Sequence, residues 1–400
     1  MEIELWWLLA IPGFFVLGWI AARIDIKQLV NESRALPHSY FKGLNFLLNE
    51  QPDQAIEAFI EAARVDPETI ELHFTLGSLF RRRGETDRAI RMHQHLIDRD
   101  ALDPAQRLHA LSELGQDYLK AGLLDRAEEI FLKLRGTERD EDALKNLLEI
   151  YQQEKEWKKA IEIAEALPNH ADHLWQKAVA EFHCEMAANA LLSGQVDEAR
   201  GLLQTALTRN RKCVRALLLL GDCEVKVGAG NMPQSQYSWG AAIDYWKRIE
   251  QYNPMYVGLV ADRLMTAYTQ LGRKAEGVEL LRAWQERHPS LDLLDVVLRV
   301  EIEEGHIEAA YQLARDELRR NPTLLGLEKF LEAQVLVSSE TRRPDLELVK
   351  HLIHNHTRRV ARYRCDACGF KARQFYWRCP GCGGWETYPP KRTEEFDITI

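Results

Sequence analysis

Leu76 to Ala89 reads LGSLFRRRGETDRA. It carries a glycine at 77, a large ring at 80, a second glycine at 84 and an alanine at 89. Leu114, Gly115, Tyr118, Gly122 and Ala127, followed by Phe131, return the same order at the same spacing. The small residue that ends this pattern can be followed along the chain as Ala55, Ala89, Ala127, Ala160, Ala199, Ala242, Gly277 and Ala310. These positions recur at intervals of roughly 33–43 residues, and self-similarity at such a period is the mark of stacked supersecondary units. Twelve residues before the first three of these alanines stand Gly43, Gly77 and Gly115, and a large residue follows each three later: Phe46, Phe80 and Tyr118. Pro67, Pro254, Pro289 and Pro322 lie twelve residues after Ala55, Ala242, Gly277 and Ala310.

The physical reading is a pair of antiparallel helices per unit. Small residues let the two helices approach, large ones fill the space beside them, and a proline cannot continue the second helix. One unit cannot bury its own apolar face, so units stack. Leu148 and Ala187 take the place of the glycine in the fourth and fifth units, and Gly221 lies further back in the sixth. The extra residues there, Gly228 to Gln236, are expected to form a flexible surface loop.

This pattern resembles the tetratricopeptide repeat over roughly residues 36–322, in about eight units. The resemblance implies an all-α superhelix whose first helices line a concave, protein-binding groove. Phe74, Arg81 and Arg82 in the second unit and Gln116, Leu119 and Lys120 in the third are the groove candidates. The competing reading of each is a solvated helix face.

Beyond the repeats, residues 363–388 read YRCDACGFKARQFYWRCPGCGGWETY. Cys365, Cys368, Cys379 and Cys382 form two CxxC pairs, the spacing of a tetrathiolate metal site. Gly369 and Gly383 follow each pair, where a positive φ turns backbone N–H groups toward sulfur. Phe370, Phe375, Tyr376, Trp377 and Trp385 are expected to form a small apolar shell, with the knuckle packing on or near the last repeat. Four thiolates close a tetrahedral site and leave no position for substrate, which points to a structural ion. CxxCG followed by CPGCG resembles the rubredoxin knuckle, which implies iron; zinc fits the same ligands. Cys184, Cys213 and Cys223 sit in apolar helical patterns and read as buried small residues.

At the other end, the stretch from Leu5 to Ala22, LWWLLAIPGFFVLGWIAA, contains no charged residue. At about 1.5 Å per residue it reaches roughly 27 Å, enough for a bilayer core. Trp6, Trp7 and Trp19 stand near its ends, as interfacial rings do. Arg23, Lys27 and Arg34 follow the span and no basic residue precedes it, so the N-terminus is expected outside and residues 23–400 in the cytoplasm. The expected organisation is an anchor at 1–24, repeats at 25–340, a basic connector helix at 341–362 and the four-cysteine domain at 363–400. In the connector, Leu346, Val349, Leu352 and Ile353 give a helical stripe. His354, His356, Arg358, Arg359, Arg362 and Arg364 give a basic run, either a solvated connector or a contact for an acidic partner or lipid headgroups.

A net charge of −9 argues against general nucleic-acid binding. Phosphate loops, nucleophile elbows and zinc-protease motifs are absent from the sequence. His93 and His95 stand two apart on a helix and do not face one ligand. An anchor, tetratricopeptide units and a CxxCG…CPGCGGW knuckle in this order resemble the lipopolysaccharide assembly protein B family of Gram-negative bacteria. That resemblance implies a non-enzymatic inner-membrane adaptor that promotes degradation of the lipid A pathway deacetylase LpxC by the membrane-anchored protease FtsH. Its metal cysteines map onto Cys365, Cys368, Cys379 and Cys382. Two alternatives remain open at this point: an iron-tetrathiolate electron carrier, and a platform for lipopolysaccharide enzymes without a protease.

Overall fold

A computed structural model of the protein describes residues 38–65, 69–99, 102–168, 171–228 and 232–394. The anchor expected at 1–24 lies outside the described residues, as do residues 395–400. Among the described residues, no helix is long and apolar enough to cross a membrane. The chain divides into two compact units, Met1–Glu156 and Trp157–Ile400.

The first unit contains α1 His38–Leu48, α2 Pro52–Val65, α3 Ile70–Arg83, α4 Thr86–Ile97, α5 Pro104–Lys120, α6 Leu124–Lys133 and α7 Asp140–Glu154. Successive helices pair as hairpins. Gly84 ends α3 in the left-handed conformation at φ 85°, and its N–H donates to the Arg81 and Phe80 carbonyls. Pro104 opens α5 behind a capping box between Asp103 and Gln106. The repeat alanines Ala55, Ala89 and Ala127 are fully buried. The glycines sit opposite rings: a Cβ on Gly43, Gly77 or Gly115 would stand 2.7, 2.3 or 2.8 Å from Phe59, His93 or Phe131. Each glycine therefore makes room for the side chain sixteen positions on. His93 is a core residue, bonded through Nδ1 to Asp117 at 2.5 Å.

The second unit begins with α8 Trp157–Ala166, α9 His173–Leu192, α10 Val196–Arg209, α11 Val214–Gly228 and α12 Met232–Tyr252. A 3-10 turn at Pro254–Val260 leads to α13 Ala261–Gln270, α14 Lys274–Arg287, α15 Leu291–Glu303, α16 Ile307–Arg320, α17 Leu324–Val337 and α18 Arg343–Val360. Ala160, Ala199, Ala242 and Ala310 are again fully buried. Where Ala187 replaces the glycine, Leu203 rather than a ring lies sixteen positions on, in the same buried cluster.

The described part of the inserted segment corrects the expectation of a loop, while residues 229–231 lie outside the described residues. Residues 232–236 are the first turn and more of α12, a helix of 21 residues. Pro233 falls in that first turn, where its missing N–H costs no hydrogen bond. Gly221 then faces Trp246, further along the chain than the ring partners of the earlier glycines, and the indole nitrogen would lie 2.1 Å from an added Cβ. That nitrogen donates to the Leu218 carbonyl at 3.1 Å.

The connector stripe is split by the fold. Leu346 and Ile353 are half-buried, whereas Val349 and Leu352 are exposed together with Leu348. Glu328 on α17 holds α18 instead, accepting from Thr357 Oγ1 at 2.6 Å and meeting His354 Nδ1 at 2.6 Å. Ala361–Arg364 then forms β1, Lys371–Ala372 β2 and Arg392–Glu394 β3, an antiparallel sheet in the order β2-β1-β3.

Candidate metal centre

Two turns of the same design bring the cysteines together. Gly369 and Gly383 have φ of 74° and 70°, and their N–H groups donate to the Cys365 and Cys379 carbonyls at 2.9 and 2.8 Å. Each turn thereby aims both of its sulfurs to one side. The Gly381 N–H points at Cys379 Sγ, 3.4 Å away. Cys365 Sγ lies 3.8 Å from Cys382 Sγ, and Cys368 Sγ 3.6 Å from Cys379 Sγ. All four sulfurs fall within 4.8 Å of one another. A tetrahedron with metal–sulfur bonds of about 2.3 Å has edges of roughly 3.8 Å, so the four sulfurs fit a single ion. Cys365 and Cys379 are buried, and Cys368 and Cys382 are exposed. Burial opposes ionisation of Cys365, but the Thr387 hydroxyl and the Cys368 and Ala367 N–H groups outweigh it and bring the thiol down to about 6. Cys368 and Cys379 are instead raised, so an ion held by all four sulfurs displaces their protons.

The apolar shell differs from the expectation. Around the buried cysteines stand Tyr363 and Tyr388, with Phe375 and Tyr376 against them. The Tyr388 hydroxyl donates to the Tyr363 carbonyl at 3.0 Å, tying β1 to the second loop. Trp377 and Trp385 point away from the cysteines and into the repeats. Trp377 stacks on Tyr256 with ring centres 5.7 Å apart and planes 4° from parallel. Trp385 meets Trp157 and Phe182 edge-on at 6.1 and 5.9 Å. The knuckle's two tryptophans therefore pack on α8, α9 and the 3-10 turn, while Lys391 lines a recess with Glu317, Asn321 and Thr323 at the last repeat, as expected. These rings recognise one another by shape and quadrupole, each good pair adding about 0.5–1.5 kcal/mol beyond area.

Beneath the rings lies a buried charge cluster. Arg215, on α11, bonds Glu181 at 3.3 Å and Glu185 at 2.7 Å, and its guanidinium lies 5.7 Å from the Trp377 ring centre. Burial raises Glu181 to about 7, against the pull of Arg215 and with a further push from Glu386. Burial also raises Glu386, which comes from the metal domain at φ 52°. Cys213 lies 3.5 Å from Glu181 and 3.7 Å from Cys184. Its thiol is pushed well up, by Cys184 first and burial second. Cys184, Cys213 and Cys223 are all buried.

The groove candidates fall into different settings. Phe74 is half-buried against His109, 4.4 Å between ring centres. Arg81 is spent inside the fold, bonding Glu113 and Asp117 at 2.7 Å each. Arg82 and Lys120 are exposed, and Gln116 and Leu119 half-buried. Arg358 and Arg359 lie in the last turn of α18 and Arg362 in β1; their side chains lie outside what the structure describes. Trp157, Glu181, Phe182, Arg215 and Tyr256 carry no local motif, and sequence reasoning passed over them. The one available signal was two tryptophans too many for so small a knuckle.

Residues 363–390 match a family described as a rubredoxin metal binding domain, and residues 42–102 and 184–229 match the tetratricopeptide repeat. The chain is 34% identical over 397 residues to lipopolysaccharide assembly protein B of Escherichia coli (strain K12), covering 98% of each. It is 32% identical over 405 residues to the protein of that name from Haemophilus influenzae, covering 98% of this chain and 99% of the relative.

Proposed function

The chain belongs to the lipopolysaccharide assembly protein B family, and from that membership we propose that it is a non-enzymatic adaptor controlling lipopolysaccharide assembly at the bacterial inner membrane. The observation that carries the reading is the similarity over 98% of the chain, repeats and metal domain together. The closed four-sulfur site supports it too, because it offers a bound ion no open position for substrate. Zinc or iron bound there crosslinks two loops that have little core of their own. The repeats supply the partner-binding surface, and residues 1–24 hold that surface at the membrane. Confinement to the membrane plane raises the effective concentration for another membrane protein.

In its finer form the adaptor brings the deacetylase LpxC to the protease FtsH. The half-life of LpxC is the test. Depletion of this protein lengthens it; an unchanged half-life removes the protease from the reading. Affinity capture from crosslinked membranes then tells a protease tether from an enzyme platform, by whether FtsH or biosynthetic enzymes dominate. The rubredoxin-like fold of the cysteine loops favours one second reading, electron transfer. A red protein that reduces reversibly would support it, and a colourless zinc protein that still regulates LpxC would exclude it.

A further inference from the structure

The first unit holds a recess outside the metal centre and outside the first-helix groove. It opens between α2 and α4 and is floored by α3, with a volume of about 460 Å³. That lies within the roughly 300–1,000 Å³ of ordinary ligand pockets. Ile60, Leu76, Phe80 and Met92 make its floor and walls apolar. Arg88, Arg91 and His95 stand along one side. They recur at i, i+3 and i+7, so they share one face of α4. Arg88 lies 3.9 Å above the Phe80 ring and bonds Glu85 at 2.6 Å. Arg91 is exposed and forms no ion pair among the described residues. On the opposite wall, from α2, the described lining residues are Ile60 and Ala63, neither of them charged.

We propose that this recess binds an acidic amphipathic helix of a partner protein, its apolar face on the half-buried Ile60, Ala63 and Met92 and its acidic edge along Arg88, Arg91 and His95. The shape argues for a helix, since two helices over a third form a trough that admits the apolar stripe of another. The charge spacing argues for a peptide. The run of α4 from Arg88 to His95 extends about 10 Å, too far for one phosphate to gather all three side chains and suited to successive carboxylates of a helix. A bilayer would need apolar groups that protrude, whereas these are recessed. The site goes beyond the family role and does not depend on LpxC or FtsH.

The test uses the full-length chain in detergent and a fluorescein-labelled amphipathic helical peptide with a leucine face and a glutamate edge, read by anisotropy. Saturable binding that weakens with salt is expected. Arg91→Glu weakens it about ten-fold by placing like charges together. Ala63→Phe, which fills the recess, abolishes it. Lys120→Glu, on α5, leaves it unchanged. Metal content and circular dichroism confirm that each variant is folded, and Arg91→Gln, a milder change at an exposed site, gives a smaller loss in the same direction. The proposal is overturned by equal binding of a peptide with a lysine edge, by unchanged affinity in Arg91→Glu or Ala63→Phe, or by an equal loss in Lys120→Glu. Binding of anionic phosphatidylglycerol vesicles without binding of the peptide would likewise overturn it.

Discussion

Gly77 and Gly201 are both helical glycines, yet they do opposite things. An added methyl at Gly77 would meet the His93 ring at 2.3 Å, and that ring is fixed by Asp117. Gly77→Ala must therefore displace it and is expected to cost about 1–3 kcal/mol, read as a lower denaturation midpoint. Gly201, inside α10, has nothing within 4 Å of such a methyl. Gly201→Ala is expected to raise stability by about 0.5–1 kcal/mol through the unfolded chain's lost freedom. Both glycines are visible in sequence, and only the first recurs with the repeat. Glu181 carries a prediction of another kind. Burial raises it to about 7 from an ordinary 4.5. Between those values the folded state holds a proton that the unfolded chain has released. Its contribution to stability is therefore fully present below about pH 4.5 and is lost as pH rises through about 7. Glu181→Gln cannot titrate, so its melting temperature should fall less than that of the parent between about pH 5 and pH 8. Identical profiles would mean that Glu181 titrates normally.

At the scale of elements, the metal loops hold themselves together and attach to the repeats by separate means. Cys379→Ser removes a ligand and should unfold residues 361–390, with loss of bound metal and of regulatory activity. A variant without metal but with full activity would contradict the structural role. Trp377→Ala and Trp385→Ala leave the four sulfurs in place and remove the rings that meet Tyr256, Trp157 and Phe182. Each should keep one metal ion while losing about 2 kcal/mol, less than the roughly 3–5 of a fully buried ring, since both are only half-buried. Metal analysis beside a thermal melt separates the two behaviours. The helix pairs were legible because their small and large residues interact within one unit. The start of α12 was not, because Gly230, Asn231 and Pro233 read as turn formers. Pro233 in a first helical turn is equally at home, and local sequence does not choose between the two.

For the molecule as a whole, the anchor proposed for residues 1–24 and the folded parts should be separable. A chain lacking residues 1–24 is expected to keep its metal and its helical content but to lose its partners in crosslinked pull-down from membranes, because the effective concentration falls. Capture of the same partners at the same level would show that the span adds nothing. The sequence by itself determined the repeat period, the close approach at Gly43, Gly77 and Gly115, and the two CxxC pairs whose four sulfurs come together. Each depends on spacings within one or two turns or one hairpin, where chain geometry leaves few choices. Only the tertiary structure decided where the metal domain rests. Trp385 finds Trp157 and Phe182 from the far end of the chain, Trp377 finds Tyr256, and Arg215 joins Glu181 beneath them. Tertiary structure also turned Arg81 inward to Asp117. Contacts of that kind arise from surfaces completed only when the helices have stacked, and no local spacing encodes them.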